Sequence, residues 1–214
     1  MQIEIFTFNP FEENTYVLYD ETQECVIVDP GCYDADERTE LSDFIKSKNL
    51  NPVALLNTHC HIDHVLGNKF VADQYKITLQ IPDGELEGLH ATTLYGHSFG
   101  IYMVASPEPG HLLKDNETIK FGNTELKCIA APGHSPASLC FYNENDKTMI
   151  GGDVLFYKSI GRTDLPGGNH DQLIASIRKR LLVLPDDVKV FPGHGIETTI
   201  GAEKKDNPFV GLGS

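Results

Sequence analysis

The residues best suited to chemistry in this chain lie in one short stretch, Thr58-His59-Cys60-His61-Ile62-Asp63-His64. It follows the apolar run Val53-Ala54-Leu55-Leu56, which is typical of a short buried strand. In extended backbone, residues two positions apart project to the same side, so His59, His61 and Asp63 can converge on one point. Imidazole nitrogens and carboxylate oxygens are the ligands that zinc-like ions prefer. The spacing therefore predicts a metal site at the end of a strand.

Two other residues of the stretch face differently in an extended chain. His64 starts on the side opposite to His59, and the turn that ends the strand can bring it round to a neighbouring point. Cys60 alternates with His59 and His61, so we expect it to face away from the metal. A chance cluster of surface histidines is the alternative interpretation. Ligand-type residues at this density and spacing favour metal binding.

Further ligand-type residues follow three later strands, each beside glycine. The segments are Ala131-Pro132-Gly133-His134, Gly151-Gly152-Asp153 and Pro192-Gly193-His194. Glycine permits tight turns and close backbone approach. Ligands gathered from several strand ends on one sheet edge are a common way for a rigid scaffold to position a site. We therefore expect His134, Asp153 and His194 to complete the metal-binding set.

The elements that must position these residues are strands and outer helices in both halves of the chain. Strands are predicted at 2–8, 15–19, 25–28, 53–57, 77–81, 118–121, 125–130, 138–142, 148–151 and 188–191, and helices at 35–48, 67–75 and 171–184. Residues 96–109 are expected to form an irregular loop of the kind that often lines a site. The alternation of strands and helices predicts an α/β protein with two sheets and helices outside.

Composition limits the classes of partner and compartment. The chain has 214 residues and a formal net charge of -14, which disfavours nucleic acid and anionic membrane surfaces as partners. No apolar run is long enough to span a bilayer. The cysteines form no CxxC pair, and a reducing, cytoplasmic location is expected. We expect a single domain over 1–214, with a tail that frays from about residue 205.

The ligand-type residues, taken together, resemble the metallo-β-lactamase superfamily. The match comprises His59-x-His61-x-Asp63-His64, His134, Asp153 and His194, in the order of the family. The resemblance implies an αββα sandwich of two mixed sheets with outer helices. It also implies a binuclear site for two divalent metal ions, with zinc expected and iron or manganese as alternatives.

The resemblance also implies a role for each ligand. One metal would be held by His59, His61 and His134, the second by Asp63, His64 and His194, and Asp153 would bridge the two. Asp29, in the turn Asp29-Pro30-Gly31, matches the acidic residue of the family's early Asp-x-Gly turn. A structural role, or the orientation of a metal ligand, is expected for it.

Within the superfamily the chain most resembles short, single-domain glyoxalase II-like thioesterases (hydroxyacylglutathione hydrolases). The run from Ser159 to Gly168 carries this resemblance, since Arg162 falls where the classical enzymes have a basic residue that binds a carboxylate of glutathione. A salt bridge from Arg162 to Asp164 is the alternative. Only a short segment follows His194, so the glutathione contacts of the classical helical domain are expected to be missing, and a different thioester range is open.

The expected reaction is attack of a metal-bridging hydroxide on the carbonyl of a small-molecule thioester, with Asp63 and Asp153 as catalytic ligands. A thiolate leaves readily because thiol pKa values lie around 8.5, so no strong general acid is required. Three alternatives remain. They are hydrolysis of another ester or a lactam, iron-dependent persulfide dioxygenation through His59, His134 and Asp153, and a metal-binding scaffold without turnover.

Overall fold

The computed structural model describes residues 1–98 and 100–211, without the side chains of 97 and 98. Its internal contacts divide the chain into two compact units. The first comprises Met1–Leu113 and Lys120–Glu125, and the second comprises Lys114–Ile119 and Leu126–Ser214. No helix in the described ranges is long and apolar enough to cross a membrane.

The first unit is built on a six-stranded mixed sheet in the order β1 to β6. Its strands are β1 (Gln2–Phe8), β2 (Glu13–Tyr19), β3 (Glu24–Val28), β4 (Asn51–Leu56), β5 (Leu79–Pro82) and β6 (His111–Leu113). β1, β2 and β3 pair antiparallel, whereas β3 to β6 pair parallel. Parallel β3 and β4 therefore end at the same edge. Asp29 follows β3 there, and residues 58–64, called here the metal-type stretch, follow β4.

Four helices accompany this sheet: α1 (Ala35–Ser47), α2 (Ile62–Val65), α3 (Asn68–Tyr75) and α4 (Leu86–Ser98). α1 begins with a capping box, in which the Asp34 side chain accepts from the Glu37 backbone N–H and the Glu37 carboxylate accepts from the Asp34 N–H. Leu41 and Ile45 on its inner face are buried in the core of the first unit. The apolar spacing on this helix thus fixes which face packs inward.

Another six-stranded mixed sheet, most of whose residues belong to the second unit, has the order β14-β13-β10-β9-β8-β7. Its strands are β7 (Thr118–Phe121), β8 (Thr124–Ala130), β9 (Leu139–Asn143), β10 (Thr148–Gly152), β13 (Lys189–Pro192) and β14 (Thr198–Thr199). A separate short hairpin pairs β11 (Leu155–Phe156) with β12 (Ser159–Ile160). β10 and β13 run parallel, so both end at the same edge and present Asp153 and His194 there.

The helix predicted at 171–184 has a different form. α5 (His170–Ser176) gives way to a π-helical segment at Ile177–Leu181. The N–H of Leu182 donates to the Ile177 carbonyl (2.9 Å), which is the i to i+5 pattern of that helix. The apolar stripe still packs inward, because Leu173, Ile177 and Leu181 are all buried.

The segment after His194 contains an element that the sequence did not indicate. α6 (Ile200–Asp206) is capped by Thr199, whose side chain accepts from the Ala202 N–H. The N–H of Gly211 then donates to the Asn207 carbonyl (2.9 Å). Residues 212–214 of the tail that was expected to fray lie outside the described residues. The extent of the domain stays a prediction.

The predicted α/β class, with two mixed sheets and helices, is confirmed. Most predicted strands and the helix at 35–48 agree with the structure to within a few residues. The loop expected at 96–109 begins later than predicted, because α4 reaches Ser98 and only 100–109 are irregular among the described residues.

The capping box of α1 yields a stability prediction. Asp34→Ala removes the acceptor for two N–H groups of the first turn, so the free energy of unfolding should fall by about 1 kcal/mol. Urea denaturation of the metal-free protein measures this loss. Asp43→Ala is the matched control, since it removes an exposed carboxylate from the same helix and should change stability by less than about 0.5 kcal/mol. Equal losses in both variants would rule out the cap as the cause.

Candidate metal centre

The metal-type stretch of the first unit is less extended than its alternating spacing suggests. β4 ends at Leu56, His59 and His61 lie in the connection that follows, and Asp63 and His64 lie on the single turn of α2. The helical turn changes the direction of the chain and brings Asp63 Oδ2 to 3.5 Å from His64 Nε2. His59 and His64 are fully buried. His64 is therefore turned inward by a helical turn that begins at Ile62.

The three imidazole rings of this stretch lie against one another. The His59 ring centroid is 4.7 Å from that of His61 and 4.2 Å from that of His64. Ligand atoms of Asp29, His59 and His64 all lie within 4.8 Å of one another. Such a concentration of nitrogen and oxygen donors, mostly out of contact with solvent, suits a divalent cation.

Asp29 is the acid that organises this cluster. Its Oδ1 accepts from the Thr58 N–H (2.7 Å) and from Asn57 Nδ2 (3.3 Å), and its Oδ2 accepts from Thr58 Oγ1 (2.6 Å). Oδ2 also lies 3.2 Å from His64 Nδ1. Asp29 has a positive φ of 48°, a conformation that Asp and Asn tolerate better than most residues. Asp29 is thus a buried carboxylate in contact with the predicted ligand His64.

These contacts determine which ring nitrogens carry protons. Thr58 uses its one hydroxyl proton on Asp29, so at its 3.0 Å contact with His59 Nδ1 the hydroxyl oxygen must accept. His64 Nδ1 faces the Asp29 carboxylate and is likewise the donor. A neutral imidazole with its proton on Nδ1 presents the Nε2 lone pair to a metal. Both rings are therefore held in the tautomer that ligates through Nε2.

The second unit presents its own ligand set at the ends of three strands. His134 follows β8, Asp153 follows β10 and His194 follows β13. The Nε2 atoms of His134 and His194 each lie 3.5 Å from Asp153 Oδ2. Two ligands of one tetrahedral ion, bound at about 2.1 Å, are separated by about 3.4 Å. The spacing of these three groups thus fits ligands that share cations better than it fits hydrogen bonds.

Backbone groups hold this second set in place. His134 Nδ1 donates to the Arg162 carbonyl (2.8 Å), which again leaves Nε2 as the ligating atom. The Gly193 N–H donates to the Gly152 carbonyl (2.9 Å) and ties the ends of β10 and β13 together. Gly161 must be glycine, since an added Cβ would overlap the Asp153 carbonyl oxygen and approach His134 Nδ1 to 3.1 Å.

Arg162 forms the salt bridge to Asp164 that the sequence left open as the alternative to substrate binding. Its Nε and Nη2 donate to the two carboxylate oxygens of Asp164 at 2.7 and 2.8 Å. Both side chains are exposed, and the hydrogen bond from Arg162 lowers the pKa of Asp164 to about 2. The contact of Arg162 with the ligand set is made by its backbone carbonyl rather than by its guanidinium.

Sequence reasoning missed several polar residues around the cluster. Glu13 is fully buried 3.8 Å from His64 Nδ1 and accepts from Thr15 Oγ1 (2.9 Å). Burial raises the pKa of Glu13 well above its ordinary value. Asn57 and Asn68 are also fully buried. Among these residues, Asn57 is the one whose burial the sequence could have indicated, because it ends an apolar strand directly before the metal-type stretch. Cys60, expected to face away, lies in the apolar core of the first unit.

Comparison with known proteins identifies the family. Residues 8–194 match the family described as the metallo-β-lactamase superfamily. The chain belongs to the metallo-β-lactamase superfamily. It is 33% identical over 212 residues to the hydroxyacylglutathione hydrolase GloC of Haemophilus influenzae, with 98% of each chain covered. The resemblance seen in the sequence is therefore confirmed.

Solved structures agree in fold. The BLEG-1 B3 metallo-β-lactamase superposes with a TM-score of 0.90 at 36% identity and covers 98% of this chain and 99% of its own. TTHA1623 in a di-iron-bound form superposes with a TM-score of 0.87 at 32% identity, covering 96% and 99%. This chain is thus a member of a metallohydrolase superfamily, and its buried His and Asp donors fit divalent metal ions.

The buried Asp29 yields a prediction about metal binding. Asp29→Asn keeps the shape and tolerates the positive φ, but it cannot serve all the donors that the carboxylate accepts. We expect metal affinity to fall about 10- to 100-fold, the usual range for residues that orient ligands. Competition with a chromophoric chelator measures it. Asp83→Asn, the same chemical change at an exposed carboxylate, should leave affinity within about twofold. Unchanged metal affinity in Asp29→Asn would show that Asp29 does not position the metal ligands.

Proposed function

We propose that this protein is a binuclear metal-dependent hydrolase of thioesters of the hydroxyacylglutathione type. The observation that carries the proposal is the tautomer control at three histidines: His59, His64 and His134 each have Nδ1 engaged by a fixed partner. Metal-ligating histidines almost always donate their other ring N–H to a fixed partner, so this pattern supports metal binding through Nε2. The near full-length similarity to GloC supports the substrate class.

We assign the ligands by the pattern of the superfamily. His59, His61 and His134 would hold one ion, Asp63, His64 and His194 would hold the other, and Asp153 would contribute to both. Asp153 Oδ2 lies 3.5 Å from the Nε2 atoms of both His134 and His194. This spacing supports the bridging role, because His134 is assigned to one ion and His194 to the other. A di-iron relative at 32% identity supports a two-ion site. Zinc is the proposed metal, with iron and manganese as the alternatives.

Bound divalent ions of this kind lower the pKa of coordinated water and polarise a carbonyl group. The residues of the chain supply the rest. Asp63 and Asp153 provide two negative charges against about +4 from the ions, which leaves a positive site suited to charge that develops on the substrate carbonyl oxygen. Asp29 and Thr58 keep the histidine rings from turning. No proton donor is needed for the leaving thiolate, whose conjugate pKa is about 8.5.

Substrate recognition is proposed for Arg162 on the second unit. Its guanidinium is exposed and already forms a bidentate pair with Asp164, so a substrate carboxylate must compete with that pair. Exposed ion pairs of this kind contribute little net energy, so replacing Asp164 by a substrate carboxylate costs little free energy. The planar fork of arginine suits a glutathione carboxylate.

Lactam hydrolysis is the second candidate function. It is favoured by the 36% identity and 0.90 TM-score to the BLEG-1 B3 metallo-β-lactamase. A substrate panel that contains lactoylglutathione, a simple acyl thioester and a β-lactam separates the two. Lactam turnover that exceeds thioester turnover by tenfold or more would replace our proposal with this one.

Metal removal gives the first functional prediction. Dialysis against a chelator should abolish thioester hydrolysis, and zinc should restore it at two equivalents per chain. His59→Ala and Asp153→Ala should each lose bound metal, measured by elemental analysis, together with at least about 100-fold in kcat/KM. His90→Ala, a change at an exposed histidine paired with Glu108, is the control and should retain both. Full activity in the metal-free protein would overturn the proposal, and one tightly bound iron with oxygen consumption on a persulfide would indicate a dioxygenase.

Arg162 gives the second functional prediction. Arg162→Ala should raise KM for lactoylglutathione about tenfold, which corresponds to about 1.4 kcal/mol, with kcat little changed. The simple acyl thioester, which has no carboxylate, should be unaffected. Asp164→Asn releases the guanidinium and should lower KM for lactoylglutathione. An equal effect of Arg162→Ala on both substrates would indicate a structural role instead.

A further inference from the structure

A continuous chain of buried amide side chains runs through the first unit from the predicted ligand His64 to the loop at 100–109. Asn57 Nδ2 donates to the His64 carbonyl at 2.9 Å and to Asp29 Oδ1 at 3.3 Å. Asn68 Nδ2 donates to Asn57 Oδ1 at 2.8 Å and lies 3.2 Å from Ser106 Oγ. Asn57 and Asn68 are both 0% exposed.

These bonds fix the orientation of the Asn57 amide. An amide has a donor side and an acceptor side, and rotation by half a turn exchanges them. The two acceptors at the His64 carbonyl and Asp29 demand the NH₂ group of Asn57. That choice directs its oxygen towards Asn68, which answers with a donor. Without the Asn68 donor, the Asn57 oxygen would be buried and unpaired, which is destabilising.

Packing alone does not account for Asn68. Within the described part of the chain its Oδ1 atom is buried and has no hydrogen-bond partner. A buried acceptor of this kind lowers stability, and leucine has a similar branched shape without a buried polar atom. Asparagine is also a weaker helix former than leucine in α3. The contribution of this side chain is therefore its NH₂ group, directed at Asn57.

We propose that Asn68 is a positioning residue for the metal ligand His64. It fixes the amide of Asn57, and Asn57 in turn holds the backbone carbonyl of His64 and the Asp29 carboxylate that contacts His64 Nδ1. This inference rests on the proposed function, because it concerns the ion that His64 is assigned to bind. Asn57 is linked to His59 through Asp29 and Thr58, whereas it donates directly to the His64 carbonyl. The ion assigned to His59 and His61 should therefore be affected less.

The test is stepwise metal binding by Asn68→Leu, measured with zinc in competition with a chromophoric chelator. We expect one of the two zinc equivalents to bind about 10- to 100-fold more weakly and the other to change less than about threefold. The melting temperature of the metal-free variant should stay close to that of the parent protein, because one unpaired acceptor replaces another. A role in packing alone predicts unchanged zinc affinity for this shape-matched substitution.

Three further variants make the result specific. Asn68→Ala should give the same loss at one zinc equivalent with a lower melting temperature, and it carries the test if Asn68→Leu does not fold. Ser106→Ala keeps the bond from Asn68 to Asn57 and should leave both affinities within about twofold. Thr92→Val removes a buried hydroxyl that donates to the Leu89 carbonyl within α4, and it is the matched control.

The outcomes separate the two proposals. Equal weakening of both zinc equivalents, or of neither, in the Asn68 variants would overturn the role of Asn68 while leaving the proposed function standing. A loss in Ser106→Ala as large as that in Asn68→Leu would also overturn it. A parent protein that binds fewer than two zinc ions contradicts the binuclear proposal itself, whatever the variants do.

Discussion

The buried carboxylate of Asp29 is the interaction on which the candidate site of the first unit depends. It accepts from Thr58 through both the backbone and the hydroxyl, from Asn57, and at His64 Nδ1. A carboxylate at 1% exposure is stable only when its oxygens are well served by donors. Each of those donors belongs to, or directly precedes, the metal-type stretch. The hydrogen bonds that satisfy the buried Asp29 carboxylate thus position His64 directly and His59 through Thr58.

The same logic operates by other means in the second unit. There the parallel pair β10 and β13 ends at one sheet edge and delivers Asp153 and His194 together. The remaining orientation comes from backbone carbonyls and from the close approach that Gly161 permits. In the first unit side chains orient side chains, whereas in the second the backbone does most of this. Substitutions around Asp29 should therefore be more informative than side-chain substitutions around His134.

The proposed positioning role of Asn68 extends this network away from the ions. A chain of buried hydrogen bonds is stabilising only if each amide directs its NH₂ group to an acceptor and its oxygen to a donor. One reversed amide disturbs the orientation of its neighbours. The chain from Asp29 through Asn57 to Asn68 has one satisfied direction, set by the carboxylate at its end. It also connects the ligand cluster with Ser106 in the loop at 100–109, which joins α4 to β6. Loop and ligand are thus parts of one hydrogen-bonded network.

Local sequence determined the α/β class, most strands, α1 and the identity of the metal-type residues. These follow from apolar periodicity and from residues that lie close together along the chain. His59, His61, Asp63 and His64 stand out by type and spacing alone, although the fold places the last two on a helical turn rather than on an extended strand. Family resemblance supplied the pattern of ligands, and the order of His134, Asp153 and His194 was enough to find it.

Tertiary structure decided which polar side chains are buried and where they point. Glu13 and Asn68 look like ordinary polar residues in the sequence, because their burial results from contacts with elements distant along the chain. Arg162 could be located by its spacing, but only the folded chain shows its guanidinium on Asp164 and its carbonyl on His134. Local periodicity reports which face of an element is apolar. The direction of a buried hydrogen bond depends on contacts between elements, which that periodicity does not encode.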